Sequence, residues 1–193
     1  MEKIQFECSD GSKIHFSLFT DKGGCLTLGI GPIRTGKTYL KRILAEHLKA
    51  NGVKYYSIGE HPDDVRQVEK LQGALKEHKR KFYKYCDIDE LHQLKDYPGI
   101  KAIIQNAVIS GRSFNVGLGL WVQSPEIFRQ INIQEVLEKT TTYFFTGYHK
   151  FYQNAIQLGT DEVKAIKALS PCNEAYLIQR EAGISRTIKT RGC

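Results

Sequence analysis

The stretch GPIRTGKT, residues 31–38, carries two glycines, a lysine and a threonine in the pattern G-x-x-x-x-G-K-[ST]. Gly31 and Gly36 let the backbone turn so tightly that successive N–H groups face one concavity, which is what an anion such as a phosphate needs. Pro32, Ile33, Arg34 and Thr35 complete the loop, and Tyr39 follows it, so the expected nucleotide-contacting stretch runs from Gly31 to Tyr39. Lys37 is placed to reach the terminal phosphates, and Thr38 to offer its hydroxyl to Mg2+.

The flanking residues suit that chemistry. The apolar run CLTLGI before the loop reads as a strand buried on both faces, with Gly29 permitting close packing. After it, KTYLKRILAEHLKANG sets Leu40, Ile43, Leu44 and Leu48 at helical spacing and stops at Asn51 and Gly52. A strand, a Gly loop and a helix N-terminus in that order add the helix dipole and unpaired first-turn N–H groups to the anion site.

Hydrolysis needs more than a cradle: a carboxylate near the metal and a group that orients or deprotonates water. CDIDELHQL offers Asp89 and Glu90 at the end of an expected strand. Adjacent residues in an extended chain point to opposite sides, so Asp89 can face a metal shell while Glu90 faces the attacking water. The other reading is a pair of solvent-exposed acids at a strand end. Asp87 and Lys84 make this strand more polar than a buried central strand is expected to be. In VGLGLWVQSPEIF an apolar strand ends in Gln123, whose carboxamide can donate to a terminal phosphate and accept from water. Pro125 then opens a short helical piece spanning 125–139. Arg112, just before that strand, is either the positive charge that phosphoryl transfer uses, donated to a neighbouring subunit's nucleotide, or a partner for a surface acid.

The remaining numbers set bounds. At 193 residues the chain reads as one domain, 1–193, able to bury a sizeable core. Five cysteines, Cys8, Cys25, Cys86, Cys172 and Cys193, form no C-x-x-C pair, so a reduced cytosolic setting is expected rather than a disulfide framework or zinc site. Cys86 and His92 are read as structural. The N-terminus lacks an apolar signal core, and no run of about 18 apolar residues marks a membrane span. Twenty-eight Lys and Arg against 21 Asp and Glu give a net charge of +7, which favours polyanions or acidic surfaces. Its densest part, Lys70, Lys76, Lys79, Arg80, Lys81 and Lys84, reads equally as a solvated helix face or a nucleic-acid contact.

Along the chain, KIQFEC and KIHFSLF joined by SDGS read as a hairpin, VKYYSI and FYKYCDI as strands, and Ile100, Ile103, Ile104, Ala107 and Val108 as one helical stripe. TTYFFTG reads as a further core strand, residues 148–169 as a helix pair, and EAYLIQR with ISRTIKT as a closing hairpin. Strands alternating with helices behind a phosphate loop predict an α/β fold: a mostly parallel sheet with helices on both faces and a β-hairpin at each end.

In this order, FSLFTDKGGCLTLGIGPIRTGKT, DIDELHQL, SGRSFNVGLGLWVQSPEIF and the tail from Gln157 onward resemble the C-terminal motor domain of conjugative-transfer ATPases of type IV secretion systems, within the FtsK-HerA superfamily of RecA-like motors. The resemblance implies a RecA-like P-loop ATPase using ATP and Mg2+. In it Lys37 and Thr38 meet phosphate and metal, Asp89 and Glu90 form the Walker B pair, Gln123 is the sensor, and Arg112 acts in trans. It also implies a homo-oligomeric ring, expected to be a hexamer, that moves DNA or protein. Such a ring sits in the cytoplasm, peripheral at the inner membrane through secretion-channel or other membrane-associated partners. Compact relatives that package viral genomes are the alternative, and a nucleotide-binding module with little hydrolysis is a third. Where the family has small residues, this loop has Ile33 and Arg34, so Arg34 is expected to adopt a backbone shape that glycine takes more cheaply.

Overall fold

A computed structural model describes residues 3–19, 25–59, 73, 83–94, 99–149, 152 and 156–190, with the backbone only at 93, 94 and 109–114. The expected P-loop strand is β3 (Cys25–Ile30), buried at every position. It lies at the centre of a seven-stranded sheet ordered β4-β5-β6-β3-β7-β8-β9. Here β4 is Lys54–Ile58, β5 Lys84–Asp89, β6 Val116–Val122 and β7 Thr142–Phe145. These five strands are parallel, while β8 (Glu174–Gln179) and β9 (Ile184–Lys189) add an antiparallel hairpin beside β7. An N-terminal hairpin, β1 (Ile4–Glu7) and β2 (Lys13–Phe16), forms a separate two-stranded sheet joined to β9 by a bridge between Cys8 and Ile188.

Alternation along the buried strands feeds two cores. Leu26, Leu28 and Ile30 of β3 and Leu118, Leu120 and Val122 of β6 face Ile100, Ile103 and Ile104 of α3 (Ile100–Phe114). The helical stripe read from the sequence is the buried face of that helix. The opposite faces of the strands meet Leu40, Leu44 and Leu48 of α1 (Lys37–Ala50) and Phe6 and Phe16 of the hairpin. α1 ends as its sequence foretells: Asn51 is the C-cap, its side-chain amide donates to the His47 carbonyl at 3.0 Å, and Gly52 follows at φ 72°. Gly29 is required by its neighbour, because a Cβ there would lie 2.0 Å from the Trp121 ring.

Several expectations are corrected. β5 is buried throughout despite Lys84 and Asp87. Asp87 tolerates this because the Trp121 indole donates to Oδ1 at 2.6 Å and the Tyr55 hydroxyl to Oδ2, although burial still pushes its carboxyl up to about 6. Lys84 opens that strand inside the core, so it does not belong to an exposed basic face. Lys70, Lys76, Lys79, Arg80 and Lys81 lie outside the described residues. The single helical piece read at 125–139 is two short helices, α4 (Glu126–Gln130) and α5 (Glu135–Lys139), separated by a turn with Asn132 at φ 54°. Cys8, Cys25 and Cys86 are free thiols, but Cys172 is disulfide-bonded. Within the tail, Tyr152 and Ile156 are helical and α6 spans Thr160–Lys167. No helix among the described residues is long and apolar enough to cross a membrane.

Candidate nucleotide site

In a parallel sheet the strands' C-terminal ends open on one edge, where the connecting loops leave a crevice. The loop 31–36 follows β3, Asp89 ends β5 with Glu90 next, Gln123 follows β6, and Thr146 follows β7. The fold therefore carries four separate sequence segments to one edge of the sheet. Gly31 is fixed there by its N–H to the Val122 carbonyl (3.2 Å), and a Cβ on it would meet the Thr146 hydroxyl at 2.0 Å.

The loop turns through positive φ at two residues, Arg34 (62°) and Gly36 (98°), and Gly36 caps the first turn of α1. The expectation for Arg34 is met: an L-residue sits where glycine rests without strain. The strain should be measurable. Arg34 is exposed, so Arg34→Gly is expected to raise stability by about 1 kcal/mol. Urea unfolding would show this, and an unchanged or lower midpoint would mean that the Arg34 side chain supplies a compensating contact.

Inside the loop, the buried Lys37 ammonium donates to the carbonyls of Gly31 (2.7 Å) and Pro32 (2.8 Å). The Thr35 hydroxyl donates to the Pro32 carbonyl at 2.8 Å and lies 2.7 Å from that of Thr146. Burial lowers the Lys37 ammonium below the ordinary lysine range, opposed by attraction to Glu90 and Asp89. That attraction places the cation and both acids in one field. Ile33, at 67% exposed, projects from the loop, and Thr38 and Tyr39 stand on the first turn of α1.

Asp89 and Glu90 part company. Asp89 is buried, with Oδ2 accepting from the Lys41 ammonium at 2.7 Å and Oδ1 from the Glu90 N–H at 3.0 Å. Glu90 leaves the strand at φ 49°, a left-handed conformation that costs free energy and collects at functional sites. That turn swings its carboxylate toward β6, where the Gln123 amide donates to Oε2 at 3.2 Å and His92 Nδ1 stands 3.0 Å from the same oxygen. Oε1 has no partner among the described residues. Gln123 is held in turn by the Tyr152 hydroxyl, which donates to its carbonyl at 3.3 Å. His92 belongs to α2 (Leu91–Leu94).

A cavity of about 1000 Å3 opens beside the loop, lined by Arg34, Lys37, Thr38, Tyr39, Lys41 and Glu90 among others, while Asp89, Gln123 and His92 do not line it. That is ample for a nucleotide. Among the described residues no group of three or more His, Cys, Asp or Glu could hold a metal unaided. Thr38 offers a hydroxyl in the cavity, and the Asp89 carboxylate lies buried behind Lys41, which lines it. Two such oxygens fit Mg2+ carried in with a triphosphate, because that ion takes one or two protein oxygens and completes its shell with phosphate and water.

The chain matches no family model and no curated protein. Its fold does match solved structures. B204, the DNA-packaging ATPase of Sulfolobus turreted icosahedral virus, superposes with a TM-score of 0.65 at 17% identity, over 86% of this chain and 97% of that one. The cytoplasmic domain of the Thermomonospora curvata type VII secretion ATPase EccC gives 0.73 at 14% identity, over 100% of this chain but 26% of that one. The pCW3 conjugation coupling protein TcpA, in its monomer form with ATPγS, gives 0.71 at 12% identity, over 97% and 65%. The fold is that of a RecA-like P-loop NTPase.

The expected residues are not all gathered at this edge. Arg112 stands near the C-terminal end of α3, before β6 begins, and its side chain lies outside the described residues. Of four neighbours of the site, Lys41, Thr146 and Cys172 were not singled out for it in the sequence, and His92 was read there as structural. Lys41 and His92 carried signals, as a lysine one turn beyond Lys37 and a histidine two residues beyond Glu90. Thr146 and Cys172 carried none, because only the fold brings β7 and the tail to the loop, where the Cys172 N–H meets the Thr35 carbonyl at 3.4 Å.

Proposed function

We propose that the chain binds ATP with Mg2+ in this cavity and hydrolyses it to ADP and phosphate, as a single motor domain spanning residues 1–193. One observation carries the reading: the Glu90 carboxylate, fixed by Gln123, opens onto the same cavity as Lys37 and Thr38. The loop 31–36 and the N-terminus of α1 hold the phosphates, with Lys37 exchanging loop carbonyls for phosphate oxygens. Thr38 and Asp89 are the residues that would hold Mg2+, which neutralises charge on the phosphate oxygens. Gln123 and His92 occupy Glu90 Oε2, leaving Oε1 to accept the proton of the attacking water.

Glu90→Gln tests this. Nucleotide affinity is expected to survive while turnover falls by on the order of a hundredfold or more, the scale for a lost general base. Turnover unchanged in Glu90→Gln but abolished in Asp89→Asn would mean that the two roles are reversed.

The work done is translocation in our reading, by a homo-oligomeric ring, a hexamer, that draws DNA or protein through a secretion or conjugation apparatus. Its place is the cytoplasm, peripheral at the inner membrane through channel partners. The proteins of similar fold support this by their names, a DNA-packaging ATPase, a secretion ATPase and a conjugation coupling protein. A second reading, viral genome packaging, is supported by the fold match to B204, which is named a DNA-packaging ATPase. Stimulation of turnover by double-stranded DNA separates a DNA motor from a protein motor or a passive nucleotide-binding module.

A further inference from the structure

Lys41 lies on α1 one turn beyond Lys37 and is 4% exposed. Lysine is rarely buried so deeply unless paired, and an unpaired ammonium there would be driven to give up its proton. Its partner is explicit: Nζ donates to Asp89 Oδ2 at 2.7 Å, and both side chains are almost wholly enclosed. Asp87, two residues earlier on β5, is within reach of the same charge but has its own donors in Trp121 and Tyr55. Among the described residues Asp89 has only Lys41 and the Glu90 N–H. A lysine thus occupies the carboxylate assigned above to Mg2+.

We propose that Lys41 is a built-in cation for Asp89, a positioning residue that aims the carboxylate and shares it with the divalent ion that enters with the nucleotide. The inference rests on the nucleotide reading of the site. Two consequences follow from charge alone, and they act in the same direction. A carboxylate already paired at 2.7 Å attracts a second cation less strongly. A fixed positive charge in the cavity also favours the metal-free triphosphate, which carries more negative charge than its Mg2+ complex. The wild-type site should therefore bind nucleotide with a weak dependence on divalent metal, and losing Lys41 should make that dependence steep.

The experiment titrates the full chain with a fluorescent mant-ATP probe, once in excess Mg2+ and once in EDTA, and reads the dissociation constant in EDTA divided by that in Mg2+. In Lys41→Met the ratio is expected to rise by on the order of tenfold or more, the scale of removing one partly buried charge. Lys41→Arg keeps the charge and should stay within about threefold of wild type. Adding Asp89→Asn to Lys41→Met should bring the ratio back down, since no unpaired carboxylate remains. A lysine that merely fills space would lower the melting temperature and leave the ratio unmoved, which would overturn the proposal. Should Lys41→Met fold poorly, thermal unfolding of the double variant decides. It should melt above Lys41→Met, because the unpaired buried carboxylate is gone, and additive losses would show that the pair is not coupled. Wild-type chain that binds mant-ATP in neither buffer would end the nucleotide reading and this inference with it. Wild-type binding with no change of ratio in Lys41→Met would end the Lys41 assignment alone.

Discussion

Lys37→Ala is expected to weaken ATP binding by about a thousandfold, the scale of removing one partner from a buried, hydrogen-bonded charge pair. The argument is one of charge. Lys37 is the cation set against Asp89 and Glu90 at the mouth of the loop, and burial already holds its ammonium below the ordinary range. A triphosphate supplies the anion that this cation lacks. Without it, the phosphates would approach two carboxylates with only backbone dipoles in compensation. Part of the effect lies in the loop itself, because the Gly31 and Pro32 carbonyls lose their donor, at about 1–2 kcal/mol in the stability of the free chain. Calorimetric titration with ATP, beside thermal unfolding, separates the two contributions. Unchanged affinity in a folded Lys37→Ala chain would refute the phosphate-loop assignment.

The second large effect concerns Arg112, and the fold sharpens the expectation. α3 ends at Phe114, β6 runs from Val116 to Val122, and Gln123 follows its far end. Seven residues of strand separate the two edges of the sheet by roughly 20 Å. The Arg112 backbone therefore stands at the edge opposite the phosphate loop of its own chain. If this arginine serves phosphoryl transfer it does so in another subunit, with the starting edge of one sheet set against the loop edge of the next. We expect Arg112→Ala to spare nucleotide binding and to lower turnover by about a thousandfold, the scale of a lost arginine finger. Mixing Arg112→Ala with Lys37→Ala chains should restore part of the activity, because some mixed interfaces join an intact loop to an intact arginine. No recovery on mixing, or full activity of Arg112→Ala alone, would remove the trans role and the main physical argument for a ring.

Much of the fold was legible because its signals are local. The glycine spacing of the loop, the uninterrupted apolar run of β3, the stripe on α3 and the Asn-Gly stop of α1 each follow from backbone sterics or side-chain period within a few residues. The strain at Arg34 was foreseen through the resemblance, because the family's loop has small residues where Ile33 and Arg34 stand. What escaped the sequence was decided between segments. Asp87 looked too polar for a central strand because its donors, Tyr55 and Trp121, come from the strands on either side. The break between α4 and α5 turns on Asn132 at positive φ, a choice that asparagine permits but does not compel. The site divides in the same way. The residue types of the loop, Asp89, Glu90 and Gln123 announced themselves, while the hold of Lys41 on Asp89 and the meeting of His92 with Glu90 exist only once α1 is packed on β5 and Glu90 has turned.

Hydrolysis is the central claim, and release of inorganic phosphate from ATP by the purified chain with Mg2+ tests it most directly. The assay should be run over a range of chain concentrations beside a Lys37→Ala preparation. We predict multiple-turnover release by the wild-type chain, with a specific rate that rises with chain concentration as subunits bring Arg112 to one another's sites. Release no faster than that of Lys37→Ala at every concentration would contradict the account.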